Sequence, residues 1–315
     1  MIFNTVLITG GAGAIGYTLV RTLLEKANKI IIIDDLSSGR KENIPDSDKV
    51  IFIEDSITND EALEKAFSHN PEIVFHLAAN FANQNSVDHP RKDLEVNGMG
   101  TLKLLQLCVK NNVKRFIYIS SSCVYGNRPG SLSEKIKDFR LDTPYAITKL
   151  LGERYTSFFQ EYYKLPTVII RIFNSYGPGE MPGKYRNVIP NFIQKALNKE
   201  KLPITGTGEE TRDFNYVGDI VNGLILAAEN EKAVGEVLNI GSGKETKIID
   251  LANKINKLTK NPAGIEMTEK RDWDNVKKRK ANIKKAKEVL DYKTDKKLNK
   301  GLKQTIGWLK KELGV

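Results

Sequence analysis

Tyr145 and Lys149 lie in "DTPYAITK", four positions apart, so on a helix they share one face a single turn apart. A free phenol has a pKa near 10, and bringing it to neutrality takes roughly 4 kcal/mol. A neighbouring ammonium and the positive end of a helix each favour phenolate over phenol. The pair therefore reads as a general base with its electrostatic partner, and a lowered phenol pKa is expected. Pro144 suits the first helical position and Thr143 or Asp142 the cap, which sets the pair near a helix N-terminus. Earlier in the chain, "YISSSCVYG" closes a strand-like run. Its serine hydroxyls are placed to reach an alcohol and to share its proton.

A second constellation stands at the other end of the first half. "ITGGAGAIG" carries Gly10, Gly13 and Gly16 at three-residue intervals, between a strand-like and a helix-like segment. In that setting free backbone N–H groups and the positive end of a helix face a diphosphate. Gly10 permits the tight turn, Gly13 close approach to phosphate, and Gly16 close packing of helix on strand. The next strand ends in Asp34-Asp35, where a carboxylate accepts both adenosine ribose hydroxyls and repels a 2′-phosphate. NAD is expected over NADP, with Arg40 and Lys41 as the contrary signal. Asp55, ending "FIED", lies where a third strand end meets the adenine.

The elements that must position these groups alternate. "TVLITG", "KIIIIDDL", "KVIFIED", "EIVFHLAA", "RFIYISS" and "PTVIIRIF" read as strands. "AIGYTLVRTLLEKAN", "NDEALEKAFSHN", "DLEVNGMGTLKLLQLCVKNN" and "TPYAITKLLGERYTSFFQEYY" read as helices. Near-continuous apolar strands between helices predict a doubly wound parallel α/β sheet covered on both faces. From about Ser175 the pattern loosens, and a smaller mixed lobe is expected there. The predicted division is a dinucleotide domain over 1–174 with a returning segment near 213–241. The second lobe then comprises 175–212 and 242–315.

The 315 residues suffice for two modest units, and the 40% hydrophobic and 28% charged shares are those of a soluble protein. No apolar run is long enough to span a bilayer. Cys108 and Cys123 give neither a disulfide framework nor metal-ligand spacing, and a cytoplasmic enzyme without metal is expected. The net charge of +10 is concentrated late, in "NVKKRKANIKKAKEVLDYKTDKKLNKG". That stretch lacks aromatics for base stacking and spaces Ile283, Ala286, Val289 and Leu290 helically, so it reads as a packed helix with a basic outer face. Neither nucleic acid nor membrane is expected as partner. His69, His76 and His89 are isolated, and His76 reads as a satisfied core histidine. Tyr125 and Tyr176 read as aromatic fillers, and Cys123 as packing.

Taken in order, "TGGAGAIG", "DDLSSGRKENI", "HLAA", "SSSCVYG", "YAITK", "RIFNSYGPG", "GEETRDFNYVGD" and "LNIGSG" make the whole chain resemble the extended short-chain dehydrogenase/reductases. The resemblance is to their NAD-dependent nucleotide-sugar epimerase/dehydratase group, typified by UDP-glucose 4-epimerase. It implies Ser121 as the catalytic Ser/Thr, Tyr145 as base, and Lys149 as the partner that also holds the nicotinamide ribose. It further implies cofactor contacts at Gly10, Gly13, Ala14, Ile15, Gly16, Asp34, Asp35, Ser37, Ser38, Asp55 and Ser56. Leu77, Ala78, Ala79 and Asn97 complete that set. For the nucleotide diphosphate and sugar it implies Ser121, Ser122, Asn174, Asn187, Arg212, Arg271 and Asp274. The guanidinium of Arg212 matches phosphate in two-pronged contacts, an ion pair to Asp213 or Asp219 being the plainer alternative.

The departures are informative. The group's dehydratases and decarboxylases carry acidic residues just after the catalytic Ser/Thr; Ser122 and Cys123 stand there instead, so elimination is not expected. Phe81 replaces a frequent lysine, and "RDWD" replaces Arg-Pro-Gly-Asp, putting Trp273 beside the nucleotide. The expected reaction is oxidation at C4 of a nucleotide-activated sugar, as the first half of a 4-epimerisation. The alternative is a 4-dehydrogenase that releases the ketone and NADH, with polysaccharide sugar supply as the setting. A homodimer through a four-helix bundle of residues 93–111 and 144–163 is implied by the resemblance alone.

Overall fold

The computed structural model describes residues 2–269 and 276–315. The first half alternates β1 (Phe3–Thr9), α1 (Ala14–Leu23), β2 (Ala27–Asp34), β3 (Val50–Glu54), α2 (Asp60–Phe67) and β4 (Ile73–His76). Two short helices, α3 (Asn83–Asp88) and α4 (Pro90–Asp93), lead through a π-helical segment, Leu94–Gly100, into α5 (Thr101–Lys110). Then come β5 (Arg115–Ser121), β6 (Gly130–Leu132), α6 (Pro144–Tyr163), β7 (Thr167–Ile172) and β8 (Ser175–Tyr176). The second half holds α7 (Val188–Leu197), β9 (Leu202–Thr205), β10 (Thr211–Arg212), β11 (Asn215–Tyr216), α8 (Val217–Glu229) and β12 (Val237–Ile240). It ends with β13 (Thr246–Lys247), α9 (Ile248–Thr259), β14 (Ile265–Thr268), β15 (Arg279–Ala281), α10 (Lys284–Leu290) and α11 (Leu298–Leu313).

Seven strands form one parallel sheet in the order β12-β7-β5-β4-β1-β2-β3. The two-residue period of a strand explains why these segments read as unbroken apolar runs. Val6, Ile8, Ile30 and Ile32 enter the core on one face, while Leu7, Ile31 and Ile33 enter the core on the other. The chain reverses its winding between β1 and β4, and an open parallel sheet leaves a crevice at that point. The glycine turn leaves β1 there, and Leu77–Ala79 leave β4 beside it.

A third core gathers α7, β9, α9 and α11 around Ile193, Leu202, Leu251 and Leu302. Residues 281–292, expected in the second lobe, go elsewhere. β15 pairs with β6 in the register Arg279↔Gly130, and Ala281, Ile283, Ala286, Leu290 and Tyr292 join a core of the seven-stranded sheet. The basic run is therefore a strand before it is a helix. Among the described residues no helix is long and apolar enough to cross a membrane, and no cluster of side chains could hold a metal ion.

Candidate active site

A cleft of about 620 Å³ follows the crevice and continues between the sheet and the third core. At its inner end the glycine turn is closed by sterics. Gly10 has φ +72°, and a Cβ there would stand 2.6 Å from the Ala78 nitrogen. A Cβ on Gly16 would stand 2.4 Å from the Gly11 carbonyl oxygen. Asp34, buried at the end of β2, accepts the Ala12 and Leu36 N–H groups, each at 2.9 Å, and so ties the turn to the strand. Burial pushes its carboxyl up, and those two bonds pull it back. Exposed Asp35 accepts Ser37 N–H at 2.9 Å. Arg40 is committed to Glu312 at 2.8 Å and Lys41 to Glu54 at 3.3 Å, which takes away the contrary signal for a 2′-phosphate.

The catalytic candidates come from β5 and α6. Thr143 is the cap of α6, its Oγ1 accepting from Ala146 N at 3.3 Å, and Pro144 takes the first position. The segment after β4 grips this helix end: Ser86 Oγ accepts from Tyr145 N at 3.0 Å, and Thr143 Oγ1 donates to Asn83 Oδ1 at 3.1 Å. Phe81 stands edge-on to the Tyr145 ring, 6.0 Å between centroids. The side chain that departs from the group's lysine thus buttresses the phenol. Tyr145 and Ser121 line the same cleft, and Ser121 Oγ accepts from Cys123 N at 3.2 Å.

The electrostatics correct one expectation. Tyr145 is not held below the ordinary phenol range; burial raises it, with Cys123 and Asp93 adding to the rise and only the nearby Ser121 hydroxyl opposing it. Lys149 is buried on the face of the Tyr118 ring, 4.6 Å from its centroid, and burial pulls its amine down to about 8 against the attraction of Asp93 and Glu153. A group taken out of water loses its charged form unless paired, and here both members of the pair are out of water. The easy proton of the pair is the lysine's.

Every described residue expected at the cofactor or substrate lines this cleft except Asn97. Asn97 is 1% exposed and sits behind the wall. Its Nδ2 donates to Asp93 Oδ1 at 3.0 Å and to Thr148 Oγ1 at 3.2 Å, and its Oδ1 accepts from Asn80 N at 2.8 Å. It positions the turn after β4 and the helix carrying Lys149, and its amide is engaged by those partners. Arg271 and Asp274 lie outside the described residues, as does Trp273. Arg212 donates to Thr211 O at 3.0 Å and Val276 O at 2.9 Å. The carboxylate of Asp213 is spent on Ser242, Gly243 and Ala281 backbone N–H groups. His76 is a satisfied core residue, its ring nitrogens 2.8 Å from Thr9 Oγ1 and Thr101 Oγ1. Tyr125 and Tyr176 are buried.

Two residues of the cleft had no sequence signal. Buried Glu180 holds Asn187 at the start of α7, accepting its N–H at 3.1 Å and its Nδ2 at 3.0 Å, so the amide turns its oxygen away from the carboxylate. Arg279 lines the wall beside Cys123. A strap of residues 184–186 crosses the cleft mouth: Tyr185 donates to Asp88 Oδ2 at 2.8 Å, Lys184 pairs with the same oxygen at 3.6 Å, and Arg186 donates to the Ser38 carbonyl.

This geometry has known counterparts. The profile of the NAD dependent epimerase/dehydratase family matches residues 6–241. The chain belongs to that family. An epimerase from Methanothermobacter thermautotrophicus is similar to this epimerase/dehydratase at 46% identity, covering 99% of this chain and 94% of its own, with a TM-score of 0.97. The UDP-glucose 4-epimerase of Thermotoga maritima, solved with UDP-glucose, is 35% identical over 98% and 99% of the two chains, TM-score 0.93. The enzyme WbmF of Bordetella bronchiseptica, solved with NAD+, is 38% identical over 99% and 94%, TM-score 0.86. The cofactor of the family is NAD, and the residues here fit it: a turn that no Cβ can enter, a buried carboxylate at the end of β2, and the cations that could claim a 2′-phosphate already paired.

Proposed function

We propose that this epimerase/dehydratase oxidises C4 of a nucleotide-linked sugar and then reduces the ketone on its opposite face, inverting C4. The observation that carries the reading is the presence of Tyr145 and Ser121 in the same cleft as the glycine turn, with no carboxylate at 122 or 123. Bound NAD supplies the acceptor of the C4 hydride and, after the ketone turns, its donor. Tyr145 Oη takes the O4 proton as its own phenolic proton passes toward the neutral amine of Lys149, and the reverse transfers return it, with Ser121 beside them in the cleft. Lys149 adjusts the charge beside them. Asn174, Asn187 and Arg212 hold the diphosphate side, and an inverted nucleotide sugar would feed polysaccharide assembly. Elimination of the C6 hydroxyl needs an acid where Cys123 stands, and a thiol does not serve.

The test is to incubate the protein with UDP- and dTDP-linked hexoses and uronates and follow both sugar and NADH. A C4-inverted product with no net NADH is the expected result. Ketone accumulating with one NADH per turnover would make the chain a 4-dehydrogenase instead.

The reading includes a homodimer. Leu94 and Met99 before α5, and Ile147, Phe158 and Tyr162 on α6, are 48–69% exposed, an apolar face on the two helical segments of the expected bundle. Contiguous apolar surface of this kind marks an interaction site. Leu94→Glu with Met99→Glu should convert a dimer to a monomer in sedimentation; a wild-type monomer at micromolar concentration would refute the assignment.

A further inference from the structure

We propose that Asn43 is a positioning residue: it fixes the distance between the glycine turn and the loop before α7, and so holds cofactor and nucleotide sugar in register for hydride transfer. The inference rests on the C4 chemistry above and on the place given there to Asn187.

Asn43 ends the short helical turn Lys41–Asn43 after β2, is 3% exposed, and does not line the cleft. Its Nδ2 carries two hydrogens, and both are used. One goes to the Ala12 carbonyl at 2.8 Å, the other to the Gly179 carbonyl at 3.2 Å. These carbonyls lie 31 and 136 residues away along the chain, and one small amide joins them. The strut is itself pinned at its backbone. Asn43 O accepts from Arg21 Nη1 at 2.6 Å, and Asn43 N donates to Arg40 O at 2.9 Å.

Each end of the strut leads to a ligand. Ala12 sits inside the glycine turn, where its N–H is held by Asp34 at 2.9 Å. Gly179 precedes Glu180, whose carboxylate accepts the N–H and Nδ2 of Asn187. Gly179 has φ +104°, and a Cβ there would stand 2.6 Å from Tyr17 Cβ and 2.7 Å from the Ala14 carbonyl oxygen. Contact with α1 therefore limits how near the loop can come, and Asn43 limits how far it can withdraw. Hydride transfer demands that closeness, since a misplacement of about 1 Å costs on the order of 10²-fold in rate. Without the amide, the Ala12 oxygen keeps the Arg40 N–H at 3.1 Å, while the buried Gly179 carbonyl loses this donor. The loosened side is the loop.

The experiment compares wild type, Asn43→Ser and Asn43→Ala, each loaded with NAD, in C4 inversion counted per bound NAD and in UDP binding by calorimetry. Counting per bound NAD removes any misfolded fraction from the rate. Asn43→Ala should lower kcat about 10- to 100-fold, and Asn43→Ser, which keeps one donor, by less. UDP and NAD affinities should stay within about threefold of wild type, because neither ligand touches Asn43. Unchanged kcat overturns the proposal. So does a loss of UDP or NAD affinity larger than the fall in kcat, which would place Asn43 in one site alone. Should neither variant fold, amide exchange decides, measured on NAD-loaded Arg186→Ala, which lacks the strap's anchor on Ser38. UDP should slow exchange in residues 39–44 as well as 177–187; slowing in 177–187 alone overturns the strut. If both segments slow but wild type inverts no nucleotide sugar, the strut stands and the C4 reading falls. If UDP does not bind, both fall.

Discussion

Tyr145→Phe should lower kcat by roughly 10²- to 10⁴-fold, the range set by removing a positioned general base, while NAD and nucleotide-sugar affinities change little. The ring remains, so its edge-on contact with Phe81 and its place at the capped end of α6 are kept; what goes is the hydroxyl. The pH dependence sharpens the expectation. Burial holds the phenol protonated and brings the Lys149 amine down to about 8. The pair therefore gives up its first proton near pH 8, and the form with one proton fewer is the one able to accept the proton from O4. Activity should rise with pH up to about 8 and then level. Lys149→Met removes the group that titrates there, so that limb should vanish with most of the rate. A Tyr145→Phe protein that retains its kcat, measured by C4 inversion, would remove the base from this account.

Arg171→Met should cost about 3–5 kcal/mol of folding stability, read from the denaturation midpoint, because it strands a buried carboxylate. Arg171 on β7 bonds Glu153 on α6 at 2.8 and 2.7 Å, and both are 4% exposed. Arg171 also donates to Tyr125 Oη at 3.0 Å, which donates onward to Asn239 Oδ1 at 2.8 Å. Ser120, next to Ser121, donates to Glu153 at 2.5 Å. The network thus ties the strand carrying Ser121 to the helix carrying Tyr145 and Lys149. A double variant, Arg171→Met with Glu153→Leu, should recover part of the loss, since neither partner is then left charged and alone. A loss below about 1 kcal/mol in the single variant would show that solvent reaches Glu153.

The sheet and most of the cleft are legible in the sequence because their signals are local. A glycine that cannot carry a Cβ, an isoleucine run divided between two faces, and a Pro-capped helix each declare themselves within a few residues. Asn97 reads as a cofactor contact because it sits in the right stretch of chain. The sequence does not show that its amide is consumed by Asp93, Thr148 and Asn80. The phenol's expected acidity overlooks burial, which depends on how tightly the segment from Phe81 to Ser86 closes on α6. Glu180 and Arg279 are unreadable for a related reason. One lies in a Gly- and Pro-rich loop, the other in a run of lysines, and each gains its role only when α7 begins beside the loop or when β6 and β15 pair.

The strap of residues 184–186 bears on timing. With anchors on Ser38 and Asp88, it links the loop before α7 to both the loop after β2 and α3. A molecule lodged beneath the strap would have to part those anchors to leave by the cleft mouth. A catalyst that restores its own oxidation state on each cycle tolerates a slow exit, whereas one that must hand reduced carrier to another protein would be throttled by it. The strap therefore suits a protein that keeps its dinucleotide through many turnovers.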